Sequence, residues 1–223
     1  MTDQQQPVQR RAGFVVYPGF TGLDLVGPHE ILARTKLECL FVAETTANVR
    51  SDRGLEIVPN ATFASCPPLQ LLVVPGGPGQ TPAMENQSLT SFLSRRAVPG
   101  CLVAGVCTGT LLLAGAGPAR GRRASTHWLA REALGHLGAV PVDDRVTRDG
   151  DLYTCAGVTS GIDLALWIVR DLFGEDEAKR IILAVEYAPE PLFDVGSRAK
   201  APSELVDFLR STSRFHRQEG KTL

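Results

Sequence analysis

The sequence predicts a doubly wound α/β fold, a largely parallel sheet covered by helices on both faces. Three observations carry that expectation. Short unbroken apolar runs at residues 13–17 (GFVVY), 71–74 (LLVV) and 101–104 (CLVA) have the length of strands buried on both sides. Stretches of helical periodicity alternate with them, which implies right-handed crossovers between parallel strands. Finally, the third run turns directly into a helix at Gly105-Val106-Cys107-Thr108-Gly109, the spacing of a nucleophile elbow with Cys in place of Ser.

Taken in order, residues 13–17 form a first strand that Pro18-Gly19 ends, and 23–32 (LDLVGPHEIL) have helical periodicity. Residues 37–43 (LECLFVA) read as the second strand. The stretch 49–59 suggests short edge strands, and the polar 60–68 a connection. Leu71 to Val74 then run into Pro75-Gly76-Gly77-Pro78-Gly79, and helix-like residues 84–97 lead back to the elbow strand. After the elbow, Thr110 to Ala114 begin a helix packed on the sheet. Ser125-Thr126-His127-Trp128 opens another through about Leu137, stopped by Gly138. Asp149-Gly150 between the alternating stretches 145–147 and 152–154 signals a hairpin. Ser160-Gly161-Ile162-Asp163 has capping-box spacing ahead of the apolar run 164–169. A last strong helix covers 175–187, with acids in its first turn as the dipole prefers. The boundaries expected are a loose tail at 1–11, one domain at 12–200, and a surface helix or tail at 201–223 to which no chemistry is assigned.

Cys107 is the first candidate for chemistry. At a helix N-terminus its thiol faces unpaired N–H groups and the positive end of the dipole, which favour the thiolate, although a buried cysteine that merely packs is the competing reading. Ligands in open α/β sheets bind beyond the carboxyl ends of strands, so two other stretches converge on it. Gly76 and Gly77 follow a strand, and their N–H groups, with that of Thr108, suit an oxyanion-hole-like, substrate-binding pocket; an ordinary glycine turn is the alternative. Asp24 follows the first strand and either caps a helix or shares a proton with Cys107 or the substrate. His127 is either a packing or capping residue or a substrate contact.

The 223 residues are 43% hydrophobic and 21% charged with a net charge of -1, an ordinary globular composition that gives no support to a nucleic-acid partner. No run approaches 18 apolar residues and the N-terminus lacks the apolar core of a signal peptide, so a cytoplasmic protein with no membrane association is expected. The five cysteines show no C-x-x-C pair, and His29, His136 and His216 have no metal-ligand spacing, so no metal is expected. Gly76 to Gly79 lacks the G-K-[ST] ending of a phosphate loop.

The elbow 104–109, the Pro75-Gly76-Gly77 turn and Ser125-Thr126-His127-Trp128 resemble the ThiJ/PfpI superfamily. Residues 23–30 (LDLVGPHE), 157–163 (GVTSGID) and 186–189 (EYAP) resemble its isonitrile-hydratase branch. The resemblance spans about 13–196. It implies a flavodoxin-like sandwich, a homodimer, no cofactor, and a small-molecule substrate, with Cys107 as nucleophile, Asp24 as acidic partner and Thr108 assisting proton transfer or holding water. The implied reaction hydrates an isonitrile to an N-substituted formamide through a Cys107 thioimidate that water opens. Pro78, where the pattern has Thr, and Cys155, where it has Gly, depart from it. The same domain forms part of AraC-type regulators, which makes a non-enzymatic ligand or redox sensor the competing reading, although no helix-turn-helix is expected here. Peptidase, glyoxalase and deglycase activities occur in the same superfamily, and Thr108 directly after the cysteine argues against them for this chain.

Overall fold

The structure, a computed structural model, describes residues 10–216. In chain order the elements are β1 (Arg11–Val15), α1 (Gly22–Leu32), β2 (Glu38–Ala43), β3 (Val49–Arg50), β4 (Glu56–Ile57), β5 (Ala61–Thr62), β6 (Leu71–Val74), α2 (Gln80–Ala83), α3 (Gln87–Arg96), β7 (Leu102–Val106) and α4 (Gly109–Ala116). They continue with β8 (Arg123–Ala124), a 3₁₀ turn (Trp128–Ala130), α5 (Arg131–His136), β9 (Val140–Pro141), β10 (Val146–Asp149), β11 (Leu152–Cys155), α6 (Ser160–Phe173), α7 (Glu175–Ala184) and α8 (Ser203–Thr212).

Seven strands make one sheet in the order β10-β11-β7-β6-β1-β2-β5, parallel throughout except for the antiparallel β10 at one edge. The central run β2-β1-β6-β7-β11 is the flavodoxin-like order, and strand order reverses between β1 and β6. β6 is buried at all four positions and β7 at its last four, as the unbroken apolar runs demand. Helices α1, α6 and α7 pack together as one layer, while α4 packs with α3 and α5 in another. Phe14, Leu71, Leu72, Val73 and Ala104, all fully buried, lie in the core between them. Among the described residues no helix is long and apolar enough to cross a membrane.

Several local expectations change. β3 and β4 form a separate hairpin rather than sheet edges; the edge strand is β5, inside the stretch read as a connection. Two residues are too short to show a period of two, and β5 is fixed instead by pairing with β2 beside the Asn60 side chain, which accepts from the Phe41 N–H at 2.8 Å. The 125–137 helix is shorter, because the Ser125 N–H is spent on Thr154 Oγ1 and its hydroxyl bonds Asp144 O and Thr147, holding the chain extended. The 84–97 helix begins at Gln87, where the Asn86 side chain accepts the Leu89 N–H. No capping box forms at α6: Ser160 lies inside the helix, its hydroxyl donates to Gly157 O, and Asp163 pairs with Arg145. The last strong helix ends at Ala184 rather than Tyr187, with Glu186 in the left-handed region at φ 51°. At the termini, Arg11 already belongs to β1, while residues 1–9 of the expected tail and 217–223 of the C-terminal segment lie outside the described residues.

Candidate active site

The site gathers where the carboxyl ends of β1, β6 and β7 meet, beside the reversal of strand order. β7 ends at Val106 and α4 begins at Gly109, so two residues make the whole turn. Cys107 absorbs it with φ 55°, one of two non-glycine residues in the left-handed region among those described. Such a backbone is strained for a residue with a Cβ and persists because its surroundings hold it. Thr126 supplies one restraint, donating its hydroxyl to Cys107 O at 2.8 Å.

Glycines in the elbow and in the loop after β6 make room for this turn. A Cβ on Gly109 would sit 2.1 Å from Val74 O, and one on Gly76 would sit 2.5 Å from both the N and Oγ1 of Thr108. The backbones of the β6 and β7 loops therefore touch. Their N–H groups are committed within the protein: Gly76 donates to Asp24 Oδ2 at 2.9 Å and Gly77 to Thr108 Oγ1 at 2.9 Å. Of the three donors expected to face a substrate, these two instead orient the acid and the threonine. The third, the Thr108 N–H, favours the ionised form of the Cys107 thiol.

Asp24 lies in the first turn of α1, with Thr21 at the N-cap, so it does not cap the helix. It is completely buried, and its Oδ1 is one of two buried side-chain oxygens without a hydrogen-bond partner among the described residues. The other is Asp52 Oδ1, on the β3–β4 hairpin. Burial pushes the Asp24 carboxyl up to about 7, the nearby Asp52 adds to the rise, and the Gly76 N–H and Cys107 thiol oppose it. Burial also pushes the Cys107 thiol well above its ordinary value; Asp24 adds to this and the Thr108 N–H opposes it. The helix-end argument for a ready thiolate is thus outweighed by burial and a neighbouring carboxylate. Cys107 and Asp24 instead form a coupled pair competing for protons.

Thr108, 4% exposed, accepts from Gly77 through its hydroxyl oxygen and keeps its own proton to donate. His127 caps the 3₁₀ turn, its Nδ1 accepting the Leu129 N–H at 3.3 Å, and no hydrogen bond joins it to Cys107. Burial, then the Arg214 charge, keep its imidazole neutral to lower pH than usual. Cys155 ends β11 beside Val106 in register; burial pushes its thiol up to about 12, while the Ser160 hydroxyl and the Cys107 N–H favour its ionised form.

Three site residues carried no signal in the sequence. Tyr17 donates to Pro75 O at 2.7 Å and braces the Gly76 turn. Asp52 accepts from Thr21 Oγ1 at 3.3 Å and lies near enough to Asp24 to raise its proton affinity. Arg214 returns from beyond α8 to bond Pro78 O at 2.7 Å, Gly77 O at 3.0 Å and Gln80 Oε1 at 3.3 Å. Beyond Gln80 a cleft of about 850 Å³ is lined by Met84, Leu111, Trp128 and Phe215, among others, but not by Cys107. The described residues hold no group of three His, Cys, Asp or Glu side chains able to ligate a metal.

Known proteins resemble this chain in sequence and in fold. The chain is 44% identical over 199 residues to an isonitrile hydratase of Pseudomonas putida, covering 89% of this chain and 87% of that one. It superposes on the crystal structure of a ThiJ/PfpI family protein from Pseudomonas syringae with a TM-score of 0.91 at 34% identity, over 98% of this chain and 95% of that one. An HTH-type transcriptional regulator, GbdR of Pseudomonas aeruginosa, is 31% identical over 127 residues, 55% of this chain and 34% of the regulator. The DJ-1/PfpI family profile matches residues 10–171, and the chain belongs to that family.

Proposed function

We propose that this protein hydrates isonitriles, converting R–N≡C and water into an N-substituted formamide. The observation that carries the reading is the pairing of Cys107 with Asp24, a buried carboxyl raised to about 7 with one oxygen unpartnered. An isonitrile needs a nucleophile and a proton delivered to the same carbon. A thiol and a carboxyl that share a proton meet that need. Likeness to the Pseudomonas putida isonitrile hydratase supports the choice of substrate class.

In the first step the thiol proton passes to the Asp24 carboxylate while sulfur attacks the terminal carbon. Asp24 returns that proton to the carbon, giving the thioimidate R–N=CH–S–Cys107. Water, held by the Thr108 hydroxyl, then adds to the same carbon as nitrogen takes a proton. The tetrahedral adduct collapses to R–NH–CHO, breaking the carbon–sulfur bond and returning the proton to sulfur. Neither Gly76 nor Gly77 donates to the substrate in this scheme; they hold Asp24 and Thr108 at the angles it requires. The reading also takes the protein as a homodimer, supported by the exposed apolar side chains Leu183, Leu192 and Phe193 and tested by sedimentation velocity.

The test is formamide production from cyclohexyl isocyanide and a panel of alkyl and aryl isonitriles by wild type and Cys107→Ser. Turnover by wild type that is lost in the variant supports the reading. No turnover by folded wild type across the panel overturns it. The local likeness to GbdR would then favour a ligand or redox sensor, read as sulfenic or sulfinic acid at Cys107 after peroxide treatment.

A further inference from the structure

The C-terminal segment lies far in sequence from Cys107, yet it reaches the loop after β6 that packs against the elbow. α8 carries one buried side chain, Val206, and after it Ser213 is buried again as the chain turns back toward the β6 loop. Arg214 then closes on that loop through both terminal nitrogens of its guanidinium, meeting the carbonyls of Pro78 and Gly77 and the Gln80 side chain. Gly77 and Gly76 are the residues whose N–H groups hold Thr108 Oγ1 and Asp24 Oδ2. Each of these peptides is thus gripped from both sides or adjoins one that is. Pro78 has no N–H of its own, so its carbonyl is the group through which this turn is held at that residue.

We propose that Arg214 is a positioning residue of the Cys107 site, fixing the Gly77–Gln80 turn with its planar fork while holding a positive charge beside the thiol. The fork requires Arg: three acceptors on two carbonyls and an amide match a planar guanidinium, whereas an ammonium is a point charge. The electrostatic component has independent support. Burial lowers the proton affinity of Arg214, and the nearby Tyr17 and Cys107 restore part of it, which places the charge within reach of both. His127 feels the same charge. The titratable groups near Arg214 are Tyr17, Cys107 and His127, its guanidinium also lies over the Phe215 ring at 4.7 Å, and the Cys107 thiol is faced by Asp24 and Cys155 as well. The inference deepens the isonitrile-hydratase reading of this site without depending on the substrate, since it concerns the reactivity of the thiol.

The experiment is the pH dependence of Cys107 alkylation by iodoacetamide in wild type, Arg214→Gln and Arg214→Lys, with fragmentation mass spectrometry resolving Cys107 from Cys101 and circular dichroism confirming the fold. Arg214→Gln is expected to move half-maximal alkylation to higher pH, slowing the reaction roughly three- to tenfold at pH 7. Arg214→Lys is expected to hold the midpoint near that of wild type but to lower the plateau rate, because it keeps the charge and loses the fork. An Arg214→Gln profile superimposable on that of wild type overturns the proposal. If Arg214→Gln does not fold, Arg214→Lys decides: a lowered plateau supports the fork and a wild-type profile overturns it. Iodoacetamide reads the thiol alone, so failure of isonitrile turnover leaves this outcome separately readable.

Discussion

The Gly77 N–H donates to Thr108 Oγ1 at 2.9 Å, joining the loop after β6 to the residue that follows Cys107. Both groups are buried, so the bond fixes the turn and aims the hydroxyl at once. Thr108→Val leaves a buried N–H unpaired and is expected to cost about 1–3 kcal/mol of stability. Thr108→Ser restores the acceptor. Urea denaturation of the three proteins checks this; equal stability of the Val and Ser variants would show that the bond contributes little.

Cys107 holds a left-handed backbone at φ 55°, which favours glycine over any residue with a Cβ. Cys107→Gly is therefore expected to be more stable than Cys107→Ala by roughly 0.5–1 kcal/mol, both variants being inactive. The reverse order in equilibrium unfolding would mean that the elbow is unstrained.

Asp24 ionises near 7 in the folded protein against an ordinary value of 3.8. The native state therefore binds the proton more tightly than the unfolded chain, and stability falls as pH rises from about 4 to about 7 before levelling. Asp24→Asn keeps an acceptor for the Gly76 N–H and removes the buried charge. It is expected to raise the melting temperature above pH 7, by on the order of a few kcal/mol in stability, with little change near pH 4. A melting temperature that tracks wild type at every pH would contradict the raised carboxyl.

Thr126 donates to Cys107 O at 2.8 Å from a segment whose sequence suggests helix. Thr126→Val removes the bond from a buried carbonyl, with an expected loss of about 1 kcal/mol and a marked fall in Cys107 alkylation rate. Thr126→Ser should recover both. An alkylation rate unchanged in the Val variant would show that the elbow needs no such brace.

The parts of this site that are legible in the sequence are those whose signal is local. A glycine-flanked cysteine between an apolar run and a helix specifies the elbow within five residues, and Pro75-Gly76-Gly77 marks a second loop at a strand end. What those glycines do is not legible: their donors serve Asp24 and Thr108, a pairing that depends on how close the β6 and β7 loops come. Asp52 and Arg214 are invisible for a related reason. One sits on a hairpin whose two-residue strands show no period, and the other lies 137 residues from the carbonyl of Gly77 that it grips. The helix end alone favours the Cys107 thiolate, whereas burial and the Asp24 carboxyl, brought in from a distant part of the chain, push its thiol up.

The pairing of Cys107 with Asp24 is decided by the pH profile of kcat/KM for the isonitrile turned over fastest, measured for wild type and Asp24→Asn. If the two groups act as a pair holding one proton, the wild-type profile rises with pH through an apparent pKa near 7, where the second proton leaves. Asp24→Asn then loses that limb and falls by about 10²-fold or more. An Asp24→Asn profile with the same limb and a similar rate would contradict the shared proton, and with it the role assigned to Asp24.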